Sequence, residues 1–94
     1  MTTQVRASHL LVATEEQCQT LKTQIEAGEL SFADAASQHS KCPSGKQGGD
    51  LGFFGKGQMV REFEVAAFSQ EEGVISEPIQ TQFGWHLLVV TGAR

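Results

Sequence analysis

Val5-Arg6-Ala7-Ser8-His9-Leu10-Leu11-Val12 alternates into two faces, Val5, Ala7, His9 and Leu11 on one and Arg6, Ser8, Leu10 and Val12 on the other. A run with this period reads as a strand. Its counterpart near the far end, Trp85-His86-Leu87-Leu88-Val89-Val90-Thr91, is the most β-prone segment in the sequence. If these two strands pair in the middle of a sheet, His9 and His86 become neighbours on one face. Each is a polar ring in an apolar strand and needs a partner. Each is the simplest partner for the other, one ring donating and one accepting. Thr81 and Ser8 are candidates for the outer nitrogens.

Working inward, Thr14-Glu15-Glu16-Gln17 has the capping-box pattern, with Gln17 placed to reach back to Thr14. The two glutamates suit the positive end of a helix dipole. The helix they open buries Cys18, Leu21 and Ile25 and stops near Gly28. Ser31 is the next N-cap, starting a short helix whose inner face is Phe32, Ala35, Ala36 and His39. Six of the ten glycines then fall between Gly45 and Gly57, a density that marks a special backbone path. Asp50 to Phe54 reads as a short strand inside this stretch. A third helix opens at Gln58 or Met59, with Met59, Phe63 and Ala67 on one face, and ends between Ser69 and Gly73. Val74 to Thr81 reads as an edge strand broken by Pro78, followed by a turn at Gln82-Phe83-Gly84. The order β-α-α-loop-β-α-β-β predicts an α+β fold, a small and mostly antiparallel four-stranded sheet flanked by three to four helices.

Ninety-four residues suit one domain, read here as residues 1–94. The net charge is −4 and the seven basic residues are spread thinly. That argues against a nucleic-acid surface and against docking on acidic membranes. No signal peptide is visible, and the apolar runs are too short to span a bilayer. The two cysteines, Cys18 and Cys42, read as free thiols in a reducing cytosol. A cytoplasmic monomer is the expectation.

Four groups invite chemistry: His9, His39, Cys42 and His86. The usual zinc spacings are absent, and His39 and Cys42 alone, three residues apart, make a weak metal signal. Cys42 with a histidine could form a thiolate–imidazolium pair, but no helix N-terminus or oxyanion hole is signalled beside it. The phosphate-loop pattern fails because Ser40 and Asp50 stand where its first glycine is required. Gly55-x-Gly57 lacks the third glycine of a dinucleotide fingerprint, Val60 standing there. A peptide pocket is the fourth reading. Leu51, Met59, Phe63 and Phe83 could line an apolar hollow beside Cys42 and the histidines, or could simply be core. Their position next to the glycine-rich loop favours the hollow.

His9-Leu10-Leu11-Val12, the run from Ser40-Lys41-Cys42-Pro43-Ser44-Gly45 through Gly48-Gly49-Asp50-Leu51-Gly52, Gly57-Gln58-Met59-Val60 with Phe63, and Thr81-Gln82-Phe83-Gly84-Trp85-His86 together resemble the parvulin family of peptidyl-prolyl cis/trans isomerases. The resemblance runs from about Val5 to Thr91, with the motifs in the family's order and spacing. It implies a parvulin/FKBP-like fold, no cofactor and no metal, and proline-containing or unfolded polypeptides as substrates. By position it makes His9 and His86 the paired sheet histidines. Cys42 becomes the active-site cysteine, and Thr81 the threonine bonded within the histidine motif. Leu51, Met59 and Phe63 become walls of a proline pocket, Gln58 a polar residue at its edge, and Phe83 a further apolar contact.

Phospho-directed members of that family carry a basic loop after the first strand and an extra N-terminal domain. Here the corresponding place reads Ala13-Thr14-Glu15-Glu16, which is short and acidic. The expectation is a minimal, free-standing isomerase with no need for a phosphate before proline, assisting folding by non-covalent catalysis. A peptide-binding module without significant turnover is the competing reading.

Overall fold

The computed structural model describes residues 3–94. Its first strand, β1 (Gln4–Val12), leads to α1 (Glu15–Glu26) and α2 (Phe32–His39). A short 3-10 helix over Pro43–Gln47 precedes β2 (Asp50–Gly55) and α3 (Arg61–Ser69). β3 (Ile79–Thr81) and β4 (Gly84–Ala93) complete the chain. The sheet order is β2-β1-β4-β3 with every strand pair antiparallel. The first and last strands therefore occupy its centre, as the alternation of Val5–Val12 and the β-richness of Trp85–Thr91 predict.

The two faces of β1 build two halves of the core. Leu10 and Val12 pack with Leu87 under α1 and α2, against Cys18, Leu21, Ala35 and Ala36. Val5 and Ala7 pack with Phe54, Leu88 and Val90 under α3, against Phe63 and Ala67. Thr14 caps α1 by accepting the Gln17 N–H at 3.2 Å, and Ser31 caps α2 by accepting the Asp34 N–H at 3.0 Å. The Gln17 side chain is exposed. α1 also buries the stem of Lys22, whose ammonium sits 3.3 Å from Glu26 and 3.5 Å from Glu77. At the chain ends, the Thr3 and Gln4 N–H groups both donate to the Arg94 carbonyl at 2.8 Å.

Four expectations are corrected. The helix expected from Gln58 or Met59 begins at Arg61 with Val60 as its N-cap, because Gly57, at φ +90°, bends the chain just ahead of it. Met59 therefore precedes the helix and does not share its face. Only Ile79–Thr81 of the expected Val74–Thr81 strand is a strand. Upstream, the Ser76 hydroxyl takes the Leu88 N–H at 3.0 Å where a strand carbonyl would otherwise accept it, and Pro78 has no N–H to give. His39 is exposed at the end of α2 and takes no part in its inner face. Part of the glycine-rich loop coils into the 3-10 helix, helped by Pro43 at its first position.

Candidate active site

His9 and His86 project from the same face of neighbouring strands. In the register His9 faces Leu88 and His86 faces Leu11, so the two histidines meet on the diagonal. Their Nδ1 atoms lie 3.2 Å apart, with the rings nearly parallel at 16°. Phe63 of α3 stands edge-on to both, 5.3 Å from His9 and 5.7 Å from His86 between ring centroids. On the outer side of His86, Nε2 meets Thr81 Oγ1 at 2.8 Å, and that oxygen accepts the Phe83 N–H at 3.2 Å. Thr81 is thus where its expected role requires it.

Ser8 is not. Successive strand side chains point to opposite faces, so Ser8 lies across the sheet from His9. His9 Nε2 is buried with no hydrogen-bond partner among the described residues. Burial, and secondarily the neighbouring His86, depresses the His9 pKa to about 4. Burial also lowers that of His86. Both rings are neutral at pH 7. A contact between two Nδ1 atoms then requires opposite tautomers, one carrying its proton on Nδ1 and the other on Nε2.

Beside the pair opens a cavity of about 370 Å³. His9 and Leu11 reach it from β1, Leu51 from β2, and Phe83 and His86 from β4 and the turn before it. Met59 and Val60 close it from the turn ahead of α3, Phe63 from α3 itself, and Lys41, Cys42 and Pro43 from the segment after α2. Eight of these are apolar or sulfur-bearing, counting Cys42, and Lys41 is the one side chain of formal charge. The structure thus brings together His9, Cys42, Leu51, Met59, Phe63, Phe83 and His86. Phe83 is 62% exposed, a large ring at the mouth of the cavity.

Gln58 is placed differently from the expectation. It does not line the cavity, and its side-chain oxygen accepts the Gly55 N–H at 2.8 Å. Cys42 is half-buried, with its sulfur accepting the Ser44 hydroxyl at 3.3 Å. Ser40 fixes it: one hydroxyl oxygen accepts both the Cys42 N–H at 3.2 Å and the Leu11 N–H at 3.1 Å. The Lys41 N–H donates to the Leu11 carbonyl at 2.8 Å, so the cysteine segment is laced to the end of β1. Gly49 does the same two strand residues earlier, its carbonyl accepting the His9 N–H at 2.9 Å. A Cβ at Gly49 would sit 2.2 Å from the His9 carbonyl oxygen, so no other residue fits. Leu11, Lys41, Pro43 and Val60 are lining residues missing from the sequence reading. For Leu11 the signal was present, since it shares a strand face with His9. Ser40 has no signal of its own, because its role depends on two segments meeting.

Comparison with known proteins gives the family. Residues 4–92 match the family described as Rotamase, the PPIC-type PPIase domain. The chain is 48% identical over 92 residues to the foldase protein PrsA of Halalkalibacterium halodurans, covering 97% of this chain and 27% of that protein. It is 41% identical over 91 residues to the foldase protein PrsA of Bacillus subtilis, covering 96% of this chain and 31% of that protein. The chain thus spans only about a third or less of the length of these curated relatives. A crystal structure of the peptidylprolyl isomerase PrsA from Bacillus anthracis superposes with a TM-score of 0.95 at 38% identity, over 99% of this chain and 43% of that one. The solution structure of NmPin, the parvulin of Nitrosopumilus maritimus, gives 0.88 at 34% identity, over 98% of this chain and 99% of that one. With nearly its whole length matched, the chain belongs to the PPIC-type peptidyl-prolyl cis/trans isomerase family, the parvulins.

Proposed function

We propose that this domain accelerates rotation about X–Pro bonds in flexible or unfolded polypeptides, gripping the proline ring in the cavity between α3 and the sheet. The observation that carries the reading is the joining of an open apolar hollow to a buried, neutral histidine pair and a half-buried thiol. Leu51, Met59 and Phe63 serve as the walls for the ring, and Phe83 extends the apolar contact at the mouth.

Rotation about a peptide bond faces a barrier of ~18–20 kcal/mol, and an acceleration of about 10⁵ corresponds to roughly 7 kcal/mol. No bond forms or breaks. As the amide twists it loses resonance, its carbonyl becomes less polar and its nitrogen more basic. An apolar wall strips away the water that hydrogen-bonds to the planar, more polar ground state. Cys42 acts through shape and field beside the rotating carbonyl, not as a nucleophile, because isomerisation needs no covalent intermediate. The histidines and Thr81 hold the floor of the cavity rigid.

The reading includes indifference to phosphate before proline. Glu15 and Glu16 open α1 just past the end of β1, and Lys41 is the single cation on the cavity wall among the described residues. It also includes a cytoplasmic setting, which two cysteines standing as thiols suit, and a monomer. Burial, and then Glu15, pushes the Cys18 thiol up to about 11, so it stays protonated.

The test is an isomerisation assay on short peptides bearing alanine, leucine, glutamate or phosphoserine before proline. Acceleration of the unphosphorylated peptides, with no gain for phosphoserine over glutamate, is expected. Peptide binding without acceleration would replace the enzyme with a binding module.

A further inference from the structure

Met59 and Val60 form one wall of the cavity from a turn that belongs to neither β2 nor α3. Two side chains outside the cavity close that turn. The Gln58 side-chain oxygen accepts the Gly55 N–H at 2.8 Å. The Glu64 carboxylate, reaching back from the first turn of α3, accepts the Gly57 N–H. A third contact lays the Lys56 ammonium 5.5 Å above the Phe68 ring. Gly57 sits at φ +90°, a conformation that turns its N–H toward the helix and that other residues rarely adopt.

We infer that Glu64, with Gln58, is a positioning residue for the isomerase site, clamping the Gly55–Val60 turn so that Met59 meets the proline ring. The inference rests on the function proposed above and adds residues that touch no substrate. Glu64 holds the turn at two points: its backbone N–H donates to the Val60 carbonyl at 2.9 Å while its side chain holds Gly57. A hydrogen bond to an ionised acceptor is about twice as strong as a neutral one, and the carboxylate also suits the helix dipole where it sits. The wall of the cavity is thereby referred to α3, the same helix that brings Phe63 to the histidines. Without the clamp Met59 and Phe63 are free to move independently, and a loss of ~1 Å in placement is enough to cost activity.

The test combines a double-mutant cycle with an amide signal. Glu64→Ala is expected to lower kcat/KM about fivefold, and Glu64→Gln, which keeps an oxygen acceptor, to recover most of that loss. In a Met59→Ala background the further effect of Glu64→Ala should shrink below about twofold, since residues acting through one contact are not additive. Glu62→Ala, exposed on the same helical turn, should leave activity unchanged. The Gly57 amide proton, bonded to a carboxylate in the wild type, should move upfield in Glu64→Ala. Additive losses in the cycle, or a shifted amide with full activity, would overturn the positioning role; an unmoved amide would overturn the clamp itself. If Glu64→Ala does not fold, Gln58→Ala takes its place in the cycle, with the Gly55 amide, which Gln58 holds, as the signal that must move. A wild-type protein with no isomerase activity would sink the function instead, and the clamp would then be judged by the Gly57 amide and by the affinity of a proline peptide for the same variants.

Discussion

The hydroxyl oxygen of Thr81 lies 2.8 Å from His86 Nε2 and ties the last buried ring of the site to the turn that carries Phe83. One atom thus serves both the floor and the mouth of the cavity. Thr81→Val keeps the branched shape and removes the oxygen, leaving the His86 nitrogen and the Phe83 N–H unpaired. A loss of ~1–3 kcal/mol in stability is expected, measured by urea unfolding. If Phe83 extends the apolar contact as proposed, activity should fall most on peptides with a bulky residue next to proline.

Acid should unfold this domain through its histidines. Both have pKa values below the ordinary 6.5, with His9 at about 4. The unfolded chain therefore binds protons that the folded one refuses. Stability from this source is complete above about pH 6.5 and is lost as pH falls toward 4, with His9 alone accounting for roughly 3 kcal/mol across that window. Urea midpoints between pH 4 and 8 measure it. His9→Phe, if it folds, should flatten much of the slope, and an unchanged slope would show that the carboxylates dominate.

Cys42→Ser should keep more activity than Met59→Ala. On the function proposed above, a hydroxyl would preserve the size and much of the polarity beside the rotating carbonyl, whereas truncating Met59 would open the wall against the proline ring. The expected losses in kcat/KM are within about threefold for the first and about tenfold for the second. The reverse order, with Cys42→Ser nearly inactive, would point to a thiolate role.

Gly49→Ala should be among the most damaging single changes. Its φ is +86° and the added carbon would lie 2.2 Å from the His9 carbonyl oxygen. A cost of roughly 3 kcal/mol or more is expected, which for a domain of this size lowers Tm by about 15 °C. Gly28→Ala, also at positive φ but with nothing near its added carbon, should cost less.

The histidine pair was legible because it depends on two periodicities alone. Alternation places His9 and His86 each on a defined strand face, and central pairing of the end strands brings the faces together. Thr81 was legible for the same reason, lying a short turn away from His86. The start of α3 was not, because helical spacing from Met59 to Phe63 fits a helix as well as a turn that happens to end there. What decides between them is the backbone of Gly57 and the reach of Glu64, neither of which leaves a periodic trace. The segment before β3 misled for a related cause. Val74 and Ile75 have strand-like side chains, yet Ser76 meets the neighbouring strand with its hydroxyl and Pro78 offers no donor. Ser40 and Gly49 were quoted only as parts of a motif, since their work is to join segments distant along the chain.

Because Thr3 and Gln4 both bond to Arg94, the polypeptide arrives and departs through a single doorway on the rim of the sheet. A host sequence interrupted at a surface loop would find its two cut ends only a few ångströms apart across this fold. The domain can therefore be spliced into a larger architecture as a bead on a closed loop, without prying the host open and without disturbing the catalytic hollow.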